Sequence, residues 1–201
     1  MARTCWYASA NRDRQEADSD SAHHEKLPAR QALFLMTYLL TIACYGSHLP
    51  GQDGIVDKHH NIPGTPVLEP NPDLVLAAKS LMRQAPFIMA AEDRRTVRNS
   101  IREICRHKGW GLLAVHVRTN HLHSVVEADV TPEAALNVLK CYTSRALNLA
   151  SPGERGRIRW ARHGSTRYLK TSDAIEAAVE YVLAKQGETM AAYHAPPRSA
   201  S

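Results

Sequence analysis

The sequence predicts an α+β domain, an antiparallel sheet with helices laid on it. Three observations predict it. The predicted elements run strand, helix, helix, strand, strand, helix, helix, which is not the alternating order of a parallel sheet. Two strand-like apolar runs, residues 110–117 and 121–127, are separated only by Arg118-Thr119-Asn120, a link short enough for a hairpin. The other apolar positions fall largely in stripes at helical spacing.

At 201 residues one domain of ordinary size is expected. Residues 1–30 are polar and charged, and a disordered extension is expected there. The domain is expected over 31–192, with a flexible tail over 193–201 and fraying from 191. The first strand is predicted at 35–44, rich in Leu, Ile, Thr and Tyr. It closes in the turn Tyr45-Gly46-Ser47-His48-Leu49-Pro50-Gly51. The apolar run at 32–45 is shorter than the ~20 residues of a spanning helix, so no membrane role is expected. With no signal peptide in view, the expected location is cytoplasmic.

Residues 52–72 hold repeated Gly and Pro, and a loop this long is functional or mobile. Helices follow at 73–84, through Leu74, Ala77, Ala78 and Leu81, and at 92–107, through Val97, Ile101, Ile104 and Cys105. The second helix also carries Arg94, Arg95, Arg98, Arg102 and Arg106, either a solvated face or a set of phosphate contacts. Pro132 opens a helix to about residue 150. The last helix runs from 173 to about 186, with Asp173 and Glu176 resembling a capping box and Gly187 as its stop.

The net charge is +5, compatible with a polyanionic partner and equally with a basic surface. Cys5, Cys44, Cys105 and Cys141 lack CxxC spacing and read as reduced thiols.

Chemistry centres on Asn120-His121-Leu122-His123. Side chains on a strand alternate, so His121 and His123 share a face while Leu122 turns into the core. Two neighbouring imidazoles can chelate a divalent metal, although with 11 His in the chain a fortuitous pair is the plain alternative. Tyr181 lies roughly 130° from the centre of the Ile175, Ala178, Val179, Val182, Leu183 stripe. It is a surface tyrosine or, near a metal, a covalent nucleophile for a phosphodiester. Tyr142 is a rival, but it lies in an apolar stripe and reads as core. The basic loop over 151–162 gathers Arg155, Arg157, Arg159 and Arg162 around Trp160, flanked by Lys140 and Arg145 of the preceding helix. Cations for phosphates and an indole for a base are what single-stranded nucleic acid needs; a flexible basic loop is the alternative.

These blocks, together with Leu139-Lys140-Cys141-Tyr142-Thr143-Ser144-Arg145, Trp160-Ala161-Arg162-His163-Gly164-Ser165 and Tyr181-Val182-Leu183, resemble the single-tyrosine HUH transposases. The REP-associated tyrosine transposases and their insertion-sequence relatives are the nearest group in pattern. The resemblance implies a ferredoxin-like or RRM-like sheet and single-stranded DNA with a hairpin as substrate. It implies attack by Tyr181 to give a 5′-phosphotyrosine, Mg²⁺ or Mn²⁺ on His121 and His123, and a homodimer. The family's third metal ligand stands four residues after the tyrosine. Here that position is Lys185, which cannot ligate while protonated, and Gln186 next to it becomes the candidate. The departure keeps a second reading open, a catalytically weak or inactive relative that binds hairpin DNA as a regulator.

Overall fold

The computed structural model describes residues 35–52 and 69–196. The N-terminal extension and most of the long loop expected over 52–72 lie outside them. The elements are β1 (Met36–Ala43), α1 (Pro72–Ser80), α2 (Ala91–Lys108), β2 (Gly111–Val117), β3 (His121–Ala128), α3 (Pro132–Ala150), β4 (Ser165–Leu169), α4 (Ser172–Ala184) and β5 (Ala191–His194).

The five strands form one antiparallel sheet in the order β4-β1-β3-β2-β5. The first four strands and the α2 and α3 crossovers reproduce the ferredoxin-like βαββαβ arrangement, with β5 added beside β2. The α+β expectation therefore holds.

Alternation along the strands splits the apolar residues between two faces. Leu40, Ile42, Val115, Val117, Leu122 and Val126 point to one, where Val97, Ile101 and Ile104 of α2 and Leu139 and Leu147 of α3 close the main core. Ala114, Val125 and Leu169 point to the other, where α4 lays down Ala178 and Val182. Among the described residues only one helix covers this second face, which leaves room for polar groups beside it.

The helix ends are set by named caps. Gly109 stops α2 in the left-handed conformation at φ 71°, which glycine adopts without penalty. Thr171 caps α4 by accepting the Ala174 amide, so the helix starts just before the predicted Asp173. α1 ends at Ser80 rather than near 84. The Arg83 amide donates to the Tyr45 hydroxyl and Gln84 accepts the Ile158 amide, so tertiary partners take over that segment.

Two strands contradict the predicted order. Residues 165–169 form β4, whose only buried residue is Leu169, so no apolar alternation announces it. Its place is fixed by partners distant in sequence. Tyr168 packs edge-on against Tyr38 at 5.1 Å, and the Thr166 hydroxyl donates to Glu133. Residues 191–194, expected to fray, form β5, and the Ala195 amide continues its pairing with the Leu113 carbonyl. Strand structure thus passes the expected boundary at 192.

The α2 arginines resolve mostly as intramolecular contacts. Arg94 donates to the Met89 carbonyl, Arg95 pairs with Glu92, Arg98 donates to Asn99, and the Arg102 guanidinium lies 4.4 Å from the Tyr193 ring centre. Among the described residues no helix is long and apolar enough to cross a membrane.

Candidate active site

His121 and His123 stand on the α4 face of β3, their ring centroids 4.9 Å apart, and Leu122 between them is fully buried on the opposite face. The start of the strand is held by the Asn120 carbonyl, which accepts from the Cys44 amide and the Ser47 hydroxyl. Each imidazole also has a partner on Nδ1. His121 donates to Asn120 Oδ1 at 2.7 Å, since that oxygen can only accept. His123 Nδ1 meets the Thr41 hydroxyl at 2.8 Å. Such partners orient imidazoles and leave Nε2 as the atom available to a ligand.

Burial lowers the pKa of His121. For His123 burial, then the charges of His121 and His116, bring it down to about 4. Both rings are therefore neutral at pH 7, the form that can ligate.

That shift has a consequence for stability. The unfolded chain binds a proton at the ordinary value near 6.5, while folded His123 resists it down to about 4. Stability is therefore fully present above pH 6.5 and falls as the pH drops through that window, by roughly 3 kcal/mol in all. Urea unfolding at pH 7.5 and 4.5 will show this loss, and His123→Asn will remove its share of the acid sensitivity.

Tyr181 comes from α4 onto the same face. Its ring centroid lies 5.4 Å from that of His123 within a single chain. It is 39% exposed, as its off-stripe position requires. Gln186 follows just past the helix end; its Nε2 donates to the Tyr181 carbonyl at 3.4 Å, and its side chain stands close enough to His121 and His123 to oppose part of the lowering of their pKa values. Lys185 takes a different direction, pairing with Glu180 at 3.1 Å on the exposed side. The structure thus brings together His121, His123, Tyr181 and Gln186.

A second imidazole neighbour is one to which sequence reasoning assigned no role beyond loop hydrogen bonding or phosphate contact. His48, in the turn after β1, has its ring centroid 6.3 Å from that of His121. The Tyr45–Gly51 turn follows directly from β1, which pairs with β3, and this adjacency was the available signal. His116, opposite His123 on β2, was missed.

The basic loop does not present the surface expected of it. Trp160 is only 8% exposed and packs edge-on against Phe87 at 6.4 Å, so its indole is a core group rather than a platform for a base. Arg159 is 2% exposed, pairs with Glu154 at 2.7 Å and stacks on Phe87. Lys140 is buried too; its Nζ donates to the carbonyls of Ala161, Arg162 and His163 and closes the loop from within. Arg157 is half-buried and donates to the Pro86 carbonyl. Of the expected cations, Arg155, Arg162 and Arg145 remain exposed. Tyr142, expected in the core, is 38% exposed beside Arg106, His107 and Arg145 in a cavity of about 330 Å³ between α2 and α3. That cavity belongs to the helix layer behind the sheet, remote from the histidine face.

Trp160→Ala therefore removes a core side chain and will cost about 3–5 kcal/mol of stability. Chemical denaturation will report that cost. DNA affinity, measured on the fraction still folded, will hardly change.

A family model described as "Transposase IS200 like" matches residues 80–183, slightly more than half of the chain. The matched stretch contains His121, His123 and Tyr181 and stops before Gln186. Among solved structures the chain is similar to a REP-associated tyrosine transposase bound to a REP hairpin. The identity is 11% over 75% of this chain and 66% of that one, with a TM-score of 0.41. The chain thus spans just under two thirds of that protein's length. It is also similar to a candidate transposase from Deinococcus radiodurans R1, at 15% identity over 79% of this chain and 95% of that one, again with a TM-score of 0.41. No curated protein matches the sequence.

Proposed function

The chain belongs to the IS200-like transposase family, and from that premise we propose that it cuts and rejoins single-stranded DNA, with Tyr181 as the nucleophile. The observation that carries this reading is the convergence of Tyr181, His121, His123 and Gln186 on one sheet face within one chain.

The residues present fit a divalent ion. Two neutral imidazoles have Nδ1 engaged, which leaves Nε2 to a ligand, and the Gln186 side chain, whose amide oxygen can ligate, stands beside them. His121, His123 and Gln186 would hold Mg²⁺ or Mn²⁺. Such an ion polarises a phosphodiester and offsets the charge that builds on its oxygens.

The protein's own part is positional and nucleophilic. The Tyr181 hydroxyl oxygen forms a bond to phosphorus, and the bond from phosphorus to the 3′-oxygen breaks. The phenolic proton passes by way of water to the departing oxygen. The products are a 5′-phosphotyrosine and a free 3′-hydroxyl. One phosphodiester replaces another, so a second 3′-hydroxyl can reverse the step without nucleotide hydrolysis. Because Tyr181 and His123 meet within one chain, a protomer can complete the site in cis. The homodimer and the hairpin-bearing substrate implied by the resemblance are part of this proposal. In it Arg155 and Arg162 are left to contact phosphates.

The rival reading, a silent binder of hairpin DNA, rested on Lys185 at the usual ligand position. The placement of the Gln186 side chain beside both imidazoles favours the active reading.

Incubation with labelled hairpin-bearing single strands and Mn²⁺ or Mg²⁺ is the test. A detergent-stable protein–DNA adduct is expected, and chelation with EDTA should abolish it. Tight binding indifferent to metal, with no adduct, would replace the enzyme by the binder.

A further inference from the structure

His116 is fully buried and takes no part in the chemistry above. It reaches the α4 face only because β2 is irregular. The register against β3 shifts between Leu112 and Ala114, so that Leu113 and Ala114 both pack toward α4. A bulge of this kind re-aims every residue after it. Val115 and Val117 return to the main core, and His116 lands opposite His123.

Both ring nitrogens are committed. The Met190 amide donates to Nε2 at 3.0 Å, so the ring proton is on Nδ1, which donates to the Val182 carbonyl at 3.0 Å. Val182 directly follows Tyr181, and Met190 directly precedes β5. Gln186 lies between them. One ring therefore bridges the two ends of the segment that carries Gln186. Arg118 adds a tether in the middle of that segment, donating to the Glu188 carbonyl at 3.0 Å.

We propose that His116 is a positioning residue: it clamps the 182–190 segment at both ends, presenting Gln186 to His121 and His123 and fixing the last turn of the helix that bears Tyr181. The functional consequence rests on the reading of the site given above, whereas the clamp itself does not.

Three substitutions separate the two arms. His116→Leu removes both. His116→Asn keeps a donor for Val182, and His116→Gln keeps an acceptor for Met190. Val97→Ala, in the core on the other face, serves as a control for stability alone. Two quantities are read. One is amide hydrogen exchange at Met190 in metal-free protein, by NMR. The other is Mn²⁺ affinity, from the paramagnetic signal of the free ion.

His116→Leu is expected to speed exchange at Met190 by about 100-fold. It is expected to weaken Mn²⁺ binding by about 10–100-fold, the usual cost of losing a partner that orients a ligand. His116→Gln should recover protection at Met190 and His116→Asn should not, while Val97→Ala leaves Mn²⁺ affinity unchanged. Wild-type exchange and affinity in His116→Leu, or equal losses in Val97→Ala, would overturn the proposal. Should His116→Leu fail to fold, identical behaviour of the Asn and Gln variants at Met190 would overturn it. Absence of Mn²⁺ binding in the wild type would instead remove the metal reading, and the clamp would still be decided by Met190 exchange.

Discussion

Tyr181→Phe will abolish the covalent protein–DNA adduct while leaving the fold and DNA binding in place. The substitution removes one oxygen, the atom asked to bond to phosphorus, and keeps the ring that stands 5.4 Å from His123. Loss of a nucleophile costs at least about three orders of magnitude in rate when no neighbour can replace it. The side chain is 39% exposed and its hydroxyl has no hydrogen-bond partner among the described residues, so stability should move by no more than about 0.5 kcal/mol. Tyr142→Phe is the matching control. That tyrosine is equally exposed, but it lies in the cavity between α2 and α3, and its loss should leave adduct formation intact. Denaturing gels of protein incubated with labelled single strands and Mn²⁺ will compare the two. An undiminished adduct from Tyr181→Phe would reject the assignment of the nucleophile.

The contrast between those tyrosines also shows what a sequence pattern can convey. Tyr181 was placed by angle: it falls off the stripe that packs on the sheet, and the structure leaves it partly exposed. Tyr142 was placed by its neighbours in an apolar stripe, yet it points to the rim of α3 rather than into the core. A stripe has an edge, and a residue there can face either way depending on what packs beside it. The histidine pair was legible for a stronger reason. A period of two is imposed by the strand itself, so His121 and His123 had to share a face once β3 existed.

Edges and irregularities were not legible. β4 and β5 are short strands at the two margins of the sheet, where a single buried residue in each, Leu169 and Ala191, marks a face. They exist because β1 and β2 offer them unpaired backbone, a fact that belongs to tertiary structure. The bulge in β2 is similarly silent, and with it the placement of His116 opposite His123. The basic loop misled for a related reason. Arginine and tryptophan in a loop have the composition of a nucleic-acid surface. Here Trp160 fills the core beside Phe87, and Arg159 finds Glu154 and the same ring. Composition gives a side chain's chemistry but not whether it faces water.

His121→Ala and His123→Ala will each remove metal-dependent cleavage while leaving affinity for hairpin DNA close to that of the wild type. Each takes away one of two imidazoles whose Nδ1 is already engaged and whose Nε2 is offered to the site. Losing an outer partner of a ligand costs about 10–100-fold in metal affinity, so losing the ligand itself should cost at least about 100-fold. The two variants should differ in stability. His123 is buried and meets Thr41, so its removal leaves a gap and an unpaired hydroxyl, at about 1–3 kcal/mol. His121 is more open and partnered by its own neighbour Asn120, so its removal should cost less. Titration with Mn²⁺ and adduct yield at saturating metal separate the two contributions. If excess Mn²⁺ restored full adduct yield to the double variant, the imidazoles would be bystanders and Tyr181 would need activation from elsewhere.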